Sequence, residues 1–140
     1  MKKTLDVKKE KKLVICGTGI KDSGQMTLET IGALGKCDIV FGLLGNRAST
    51  ELIKKISRRF QDLSFLQQDK TLDLQVNERI ANSVLEGLQV YDLVGFVVQG
   101  HPLFYAAHTQ MLISRCKKTA IPYEIYNGIS SFDAIMTALN

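Results

Sequence analysis

The chain reads as one α/β domain: a mostly parallel sheet flanked by helices. Two features carry this reading. Short apolar runs alternate with helix-patterned segments along nearly the whole chain, which is the signature of repeated strand–helix units. The central run, Leu93–Val98, is continuously apolar, far too short to cross a membrane, and stopped by Gly100-His101-Pro102. It therefore reads as a strand buried on both faces and ending in a sharp turn.

The elements follow in order. Leu13–Cys16 is a strand ending in Gly17-Thr18-Gly19. Met26–Leu34 has helical pattern, with Thr27 three residues before Thr30 and Glu29 in the first turn. Cys37–Leu44, rich in Ile, Val and Phe, is a strand stopped at Gly45-Asn46. Ala48–Phe60 places Leu52, Ile53 and Ile56 at helical spacing, and Ser49 or Thr50 can cap it. Leu63–Leu66 is read as a short strand, and Asp73–Leu88 as a helix ending near Gly87. After the central strand, Ala106–Lys118 is a helix with Met111, Leu112 and Cys116 on its inner side. Ile121–Tyr126 is a strand broken by Asn127-Gly128, and Ser130 or Ser131 can cap a last helix over Phe132–Leu139.

At 140 residues the chain is long enough for one real core. Its hydrophobic fraction of 45% and charged fraction of 23% are those of a globular protein. No window nears the ~20 apolar residues of a membrane helix, and no signal peptide is visible, so a cytoplasmic location is the default expectation. Much of the +4 net charge sits in residues 1–12, expected to be a basic, disordered head ahead of a single domain over 13–140. Lys54, Lys55, Arg58 and Arg59 form a second basic group, read as a solvated helix face rather than a nucleic-acid surface because no aromatics interleave with it. Cys16, Cys37 and Cys116 have no metal-binding spacing and read as reduced core thiols. His101 and His108 lack an obvious third ligand, so no metal is expected.

Three loops fall at carboxyl ends of strands: Gly17-Thr18-Gly19, Gly100-His101-Pro102 and Asn127–Ser131. That is where open α/β sheets gather ligands. Asp22 stands where the third glycine of a dinucleotide fingerprint would be, and no GxxxxGK[ST] loop exists. An ordinary NAD or ATP site is therefore disfavoured.

Three blocks then resemble one known family. Leu13–Ile20 with Gly24-Gln25-Met26-Thr27-Leu28-Glu29-Thr30, Gly100–Tyr105, and Ile121–Phe132 look like the first strand and helix, the Gly-Asp-Pro loop and the "IPVEVVPGISS" segment of tetrapyrrole (corrin/porphyrin) methylases. The Gly-Gln-Met-Thr-Leu form, and histidine where that loop has aspartate, lean toward the borosin-like peptide N-methyltransferase branch. The resemblance implies the amino-terminal domain of such a fold, with the family's second domain absent from these 140 residues, so that a truncation, a solitary half or a subunit needing a partner is expected. It implies an S-adenosylmethionine-dependent methyltransferase, or its amino-terminal half, with a peptide or small molecule as acceptor. The alternative is a noncatalytic cofactor- or partner-binding module of the same fold.

Carried over residue by residue, Gln99, Gly100, His101, Pro102, Leu103, Phe104, Ser130 and Ser131 would touch S-adenosylmethionine. Gly17, Thr18 and Gly19 would line the acceptor side. Tyr105 and His101 are the local candidates for a catalytic base, required only when the acceptor arrives protonated. Each also has a plainer role open to it: His101 bonding the cofactor or the loop backbone, Tyr105 packing under the loop. The borosin-like substrate segment carries tyrosine and arginine, whereas 62–71 here has neither. An apolar row on the last helix (Phe132, Ile135, Met136, Leu139) leads to the expectation of a homo-oligomer or a partner chain.

Overall fold

A computed structural model describes residues 10–68 and 73–140. Five parallel strands form one sheet: β1 (Lys12–Gly17), β2 (Ile39–Leu43), β3 (Phe60–Asp62), β4 (Leu93–Val98) and β5 (Tyr123–Tyr126), in the order β3-β2-β4-β1-β5. Five α-helices accompany them: α1 (Leu28–Lys36), α2 (Arg47–Ile56), α3 (Asp73–Val90), α4 (Ala107–Lys118) and α5 (Ser131–Ala138). The predicted α/β class is what the chain adopts.

β4 takes the middle of the sheet because both of its faces are apolar. Val94, Phe96 and Val98 join Leu13, Ile15 and Phe41 against α3 and α4. On the other face Val14, Cys16, Val40 and Val97 meet Leu34 of α1 and Ile53 of α2. In-register pairing puts Ile15 between Phe96 on β4 and Ile125 on β5, so the strand ends come level at one edge. That edge carries the loops singled out above.

Local chemistry moved several boundaries. Asn46, not Ser49 or Thr50, caps α2: its Oδ1 accepts from the Ser49 N–H at 2.8 Å while its Nδ2 donates to the Lys21 carbonyl at 3.0 Å. α2 ends at Ile56 rather than running to Phe60, because Phe60 opens β3 opposite Val40. The strand expected at Leu63–Leu66 is therefore shifted to Phe60–Asp62. The Asp62 carboxylate then accepts from the Ser64 N–H at 2.8 Å, and this Asx turn stops the strand and starts a 3₁₀ helix over Ser64–Gln68. α3 runs through Gly87, which is needed in the helix interior: a Cβ there would lie 2.5 Å from the Phe41 ring. Thr27 does cap α1, its hydroxyl accepting from the Thr30 N–H at 3.1 Å.

Of the basic head, 1–9 lie outside the described residues, while Lys12 already belongs to β1 and Lys11 donates to the Leu88 carbonyl. The second basic group is exposed on and after α2. Lys54 pairs with Glu51, Arg58 with Asp38, and Arg59 lies over the Tyr91 ring. All three cysteines are buried and unbridged; burial pushes the Cys37 thiol up to about 12 and raises the other two as well. Such thiols pack and do not react. No described helix is long and apolar enough to cross a membrane.

Phe96 is the largest wholly buried side chain of the central strand. Phe96→Ala should cost ~3–5 kcal/mol through lost transfer energy and the cavity left behind. In urea unfolding that appears as a lower midpoint with unchanged slope; a loss below ~1 kcal/mol would mean β4 does not organise the core.

Candidate active site

The loops after β1, β4 and β5 meet in backbone-to-backbone contact. Gly19 and Gly100 form an antiparallel bridge, the Gly100 N–H donating to the Gly19 carbonyl at 2.8 Å and the Gly19 N–H to the Gly100 carbonyl at 3.3 Å. The Gly100 carbonyl also sits where a Cβ on Gly17 or on Gly128 would have to go, and Pro102 Cδ closes the same space, 2.8 Å from where a Gly17 Cβ would lie. Both bridge glycines adopt positive φ, +83° at Gly19 and +76° at Gly100, a region open to glycine at no steric cost. Three strand ends are thereby fused into one junction that no side chain can enter.

Gln99 ties the junction together, its Nε2 donating to the Ile20 carbonyl at 3.0 Å and its N–H to the Leu43 carbonyl at 3.3 Å. Beyond it the loop turns outward. His101 is half-buried, and its Nδ1 accepts from the Leu103 N–H at 3.1 Å. When the ring is neutral, that bond selects the tautomer with the proton on Nε2, whose N–H has no partner among the described residues. Leu103, Phe104 and Ile129 are each about 40% exposed and Tyr105 is 96% exposed, forming an apolar ledge on the junction's outer side. Tyr105 does not pack under the loop: its backbone sits at φ +51° and its ring meets Phe104 edge-on at 4.8 Å. A non-glycine residue in the left-handed region is strained, and such strain gathers at functional sites.

In the third loop the two serines are engaged differently. The Ser130 hydroxyl is committed to a capping box: it donates to Asp133 Oδ2 at 2.7 Å and accepts from the Asp133 N–H at 3.2 Å. Those bonds, together with the nearby His101, hold the Asp133 carboxyl below its ordinary range. Ser131, one residue on, is exposed. Gly17, Thr18 and Gly19 are buried, and Thr18 extends the ladder through its N–H to Val98. Their part is to hold the β4 loop.

One group of residues had no sequence signal. Beside Tyr105, two adjoining cavities of about 170 and 460 Å³ share Gln67, Tyr105 and His108; Asp73 and Asn77 of α3 line the larger. These residues come from the 3₁₀ turn, α3 and α4, spread over about 40 positions, so no local motif betrays them. His108 Nε2 is buried without a hydrogen-bond partner among the described residues, and the ring stands edge-on to Phe96. Burial lowers its pKa to about 4.

Comparison with known proteins fits this geometry. Residues 12–140 match the family Tetrapyrrole (Corrin/Porphyrin) Methylases. The fold superposes on a uroporphyrin-III-C-methyltransferase from Thermus thermophilus with TM-score 0.64 and 16% identity, over 91% of this chain and 52% of that one. A cobalt precorrin-4 methyltransferase gives TM-score 0.65 at 23% identity, over 91% of this chain and 49% of that one. The chain belongs to the tetrapyrrole methylase family. Within it, the chain is 31% identical over 132 residues to a methyltransferase/ribosomally synthesized type II borosin cyclic peptide precursor of Phlebiopsis gigantea, covering 91% of this chain and 23% of that protein. A type III counterpart from Anomoporia bombycina is 28% identical over 123 residues, covering 87% and 14%. The chain thus spans a quarter or less of the length of these two relatives.

The buried His108 makes stability depend on pH. The unfolded chain takes up the proton near the ordinary 6.5, the folded one only near 4, so the neutral ring's contribution is complete above about pH 7 and drains away as pH falls between those values. The loss should be on the order of 2–3 kcal/mol. Urea titrations at pH 7 and 4.5 should show His108→Phe losing less stability than the parent over that interval. Equal losses would place the imidazole in water.

Proposed function

We propose that this chain is the S-adenosylmethionine-holding amino-terminal part of a methyltransferase whose acceptor is a peptide or small molecule. The observation that carries this reading is the glycine junction: three strand ends locked at the Gly100 carbonyl, with an exposed ledge immediately outside it. The residues present suit the cofactor. The junction gives a rigid backbone edge, Leu103, Phe104 and Ile129 an apolar surface, and His101 Nε2–H and the Ser131 hydroxyl polar contacts. Ser130 contributes by capping α5, and Gln99, Gly100 and Pro102 by fixing the loop's course.

S-adenosylmethionine, when bound, supplies an electrophilic sulfonium methyl group. Everything else falls to the chain, and it is mostly alignment: holding reactants at attack distance can remove ~7 kcal/mol or more of a barrier. With Nδ1 committed to Leu103, His101 serves better as a donor that orients a ligand than as a base. Tyr105, exposed and at the mouth of the cavity lined by Gln67, Asp73, Asn77 and His108, is the candidate to accept a hydrogen bond from an acceptor's N–H or O–H at Oη, and it would take the proton itself only as the phenolate. Gly17, Thr18 and Gly19 serve the acceptor side indirectly, by anchoring the loop that ends in Tyr105.

Calorimetric titration with S-adenosylmethionine should give saturable binding, weakened roughly tenfold or more (~1.4 kcal/mol) in Gly100→Ala, whose Cβ would force a positive-φ residue against Ile20. Formation of S-adenosylhomocysteine on adding acceptor, reduced in Tyr105→Phe with binding intact, marks the enzyme. Binding without turnover would favour the noncatalytic module, and no saturable heat would remove the cofactor reading altogether.

The same reading extends to assembly. Phe132, Ile135, Met136 and Leu139 leave α5 with an apolar face that is 45–81% exposed. A second copy or a partner chain covering it would explain the row. Sedimentation velocity should show mass above the monomer at high concentration, and Ile135→Glu should abolish it. A parent chain that sediments as a monomer at every concentration would leave self-association without support.

A further inference from the structure

The opposite end of the sheet carries a second site. In a parallel sheet each connecting helix runs against the strands, so α3 and α4, which pack together, both end at the strands' amino edge. Between their last turns lies a cleft of about 620 Å³, within the range of small-molecule sites. Its floor is apolar: Leu88 is 2% exposed, and Leu85 and Ile121 are half-buried. Its rim is cationic, formed by Lys11, Arg115 and Lys118, and no carboxylate lines it. Glu86, the nearest acid on α3, is exposed outside the lining.

The charges exceed what the helix ends require. Two helix carboxyl termini present about −0.5 each, so one cation would balance them. Lys11 supplies it, donating to the Leu88 carbonyl and to the Gln89 carbonyl at 3.0 Å. Arg115 donates one N–H to Asn82 Oδ1, which steadies the guanidinium at the lip and leaves its other donors over. Lys118 is exposed beside it. Among the described residues, two positive charges therefore stand in excess over an apolar floor.

We propose that this cleft binds a small amphiphilic anion, its hydrocarbon part on Leu85, Leu88 and Ile121 and its anionic head between Arg115 and Lys118. A guanidinium and an ammonium converging on one head make charge-assisted hydrogen bonds, while the floor rewards a chain of several carbons. The site is independent of the methyl-transfer reading: it lies at the far edge of the sheet from Gly100.

Titration of the 140-residue chain with sodium octanoate, followed in amide proton–nitrogen spectra, tests the site. Saturable shifts are expected at Leu85, Leu88, Gln89 and Thr119, with Gly100 and His101 unmoved. Octan-1-ol, which lacks the charge, and butyrate, which lacks the chain, should each bind roughly tenfold or more weakly. The Arg115→Gln, Lys118→Gln double variant, which also gives up the bond to Asn82, should lose roughly tenfold in octanoate affinity while keeping a cooperative thermal transition. No saturable shift with octanoate, equal binding of octan-1-ol, or an unaffected double variant would each overturn the proposal. Binding of an acidic, leucine-rich peptide in place of octanoate would also overturn it and make the cleft a protein-docking surface.

Discussion

A single carbonyl oxygen, that of Gly100, sets the geometry of the functional edge. It occupies the space that side chains on Gly17 and Gly128 would need, so the segments after β1, β4 and β5 approach as bare backbone. Such an approach is possible only where three strand ends are level, and they are level because the parallel register aligns Ile15 with both Phe96 and Ile125. The core and the site are thus one construction. The packing of Phe96 and its neighbours fixes the register, the register brings the loops together, and the junction fixes the path of the chain up to Tyr105.

That rigidity explains where strain is tolerated. Tyr105 holds a left-handed backbone at a cost of order 1–3 kcal/mol, which only an over-determined surrounding sustains. Pro102 on one side of the loop and the buried Ala106 at the head of α4 on the other supply it. The neutral His108 one turn further on belongs to the same arrangement. Its desolvated ring, with a nitrogen left unpaired, is a cost that a cavity-facing position explains better than a packing role would.

Much of this was legible in the residues. The continuous apolar run of β4 and the breaks at Gly17-Thr18-Gly19, Gly100-His101-Pro102 and Asn127-Gly128 are local signals, and each lies where the sequence put it. Competition among caps was not legible. Asn46 displaces Ser49 and Thr50 because one amide side chain meets both the helix end and the Lys21 carbonyl. Nor was the edge strand: Phe60 leaves the helical pattern to pair with Val40, and only the tertiary position of β2 rewards it. The two serines of 127–131 looked alike, yet one closes a capping box and the other faces solvent. The grouping of Gln67, Asp73, Asn77 and His108 is purely tertiary, and periodicity is blind to it.

The placement of charge bears on the proposed chemistry more than its total does. The protein is basic overall, and a cationic sulfonium would be disfavoured by nearby lysines or arginines. Across 99–105 and 127–133 there is none: the only ionisable side chains are His101, Tyr105 and Asp133. The Ser130 cap holds the Asp133 carboxyl below its ordinary range, so the β5 loop contributes a negative charge beside His101. Apolar exposure is biased the same way. Eight of the twelve exposed large hydrophobic residues among those described lie between Leu103 and Leu139. Cations gather at the end of α2 and at the α3–α4 cleft, while the loops after β4 and β5 carry no lysine or arginine. A positively charged cofactor and an amphiphilic anion would therefore be drawn to different ends, and neither would compete with the other.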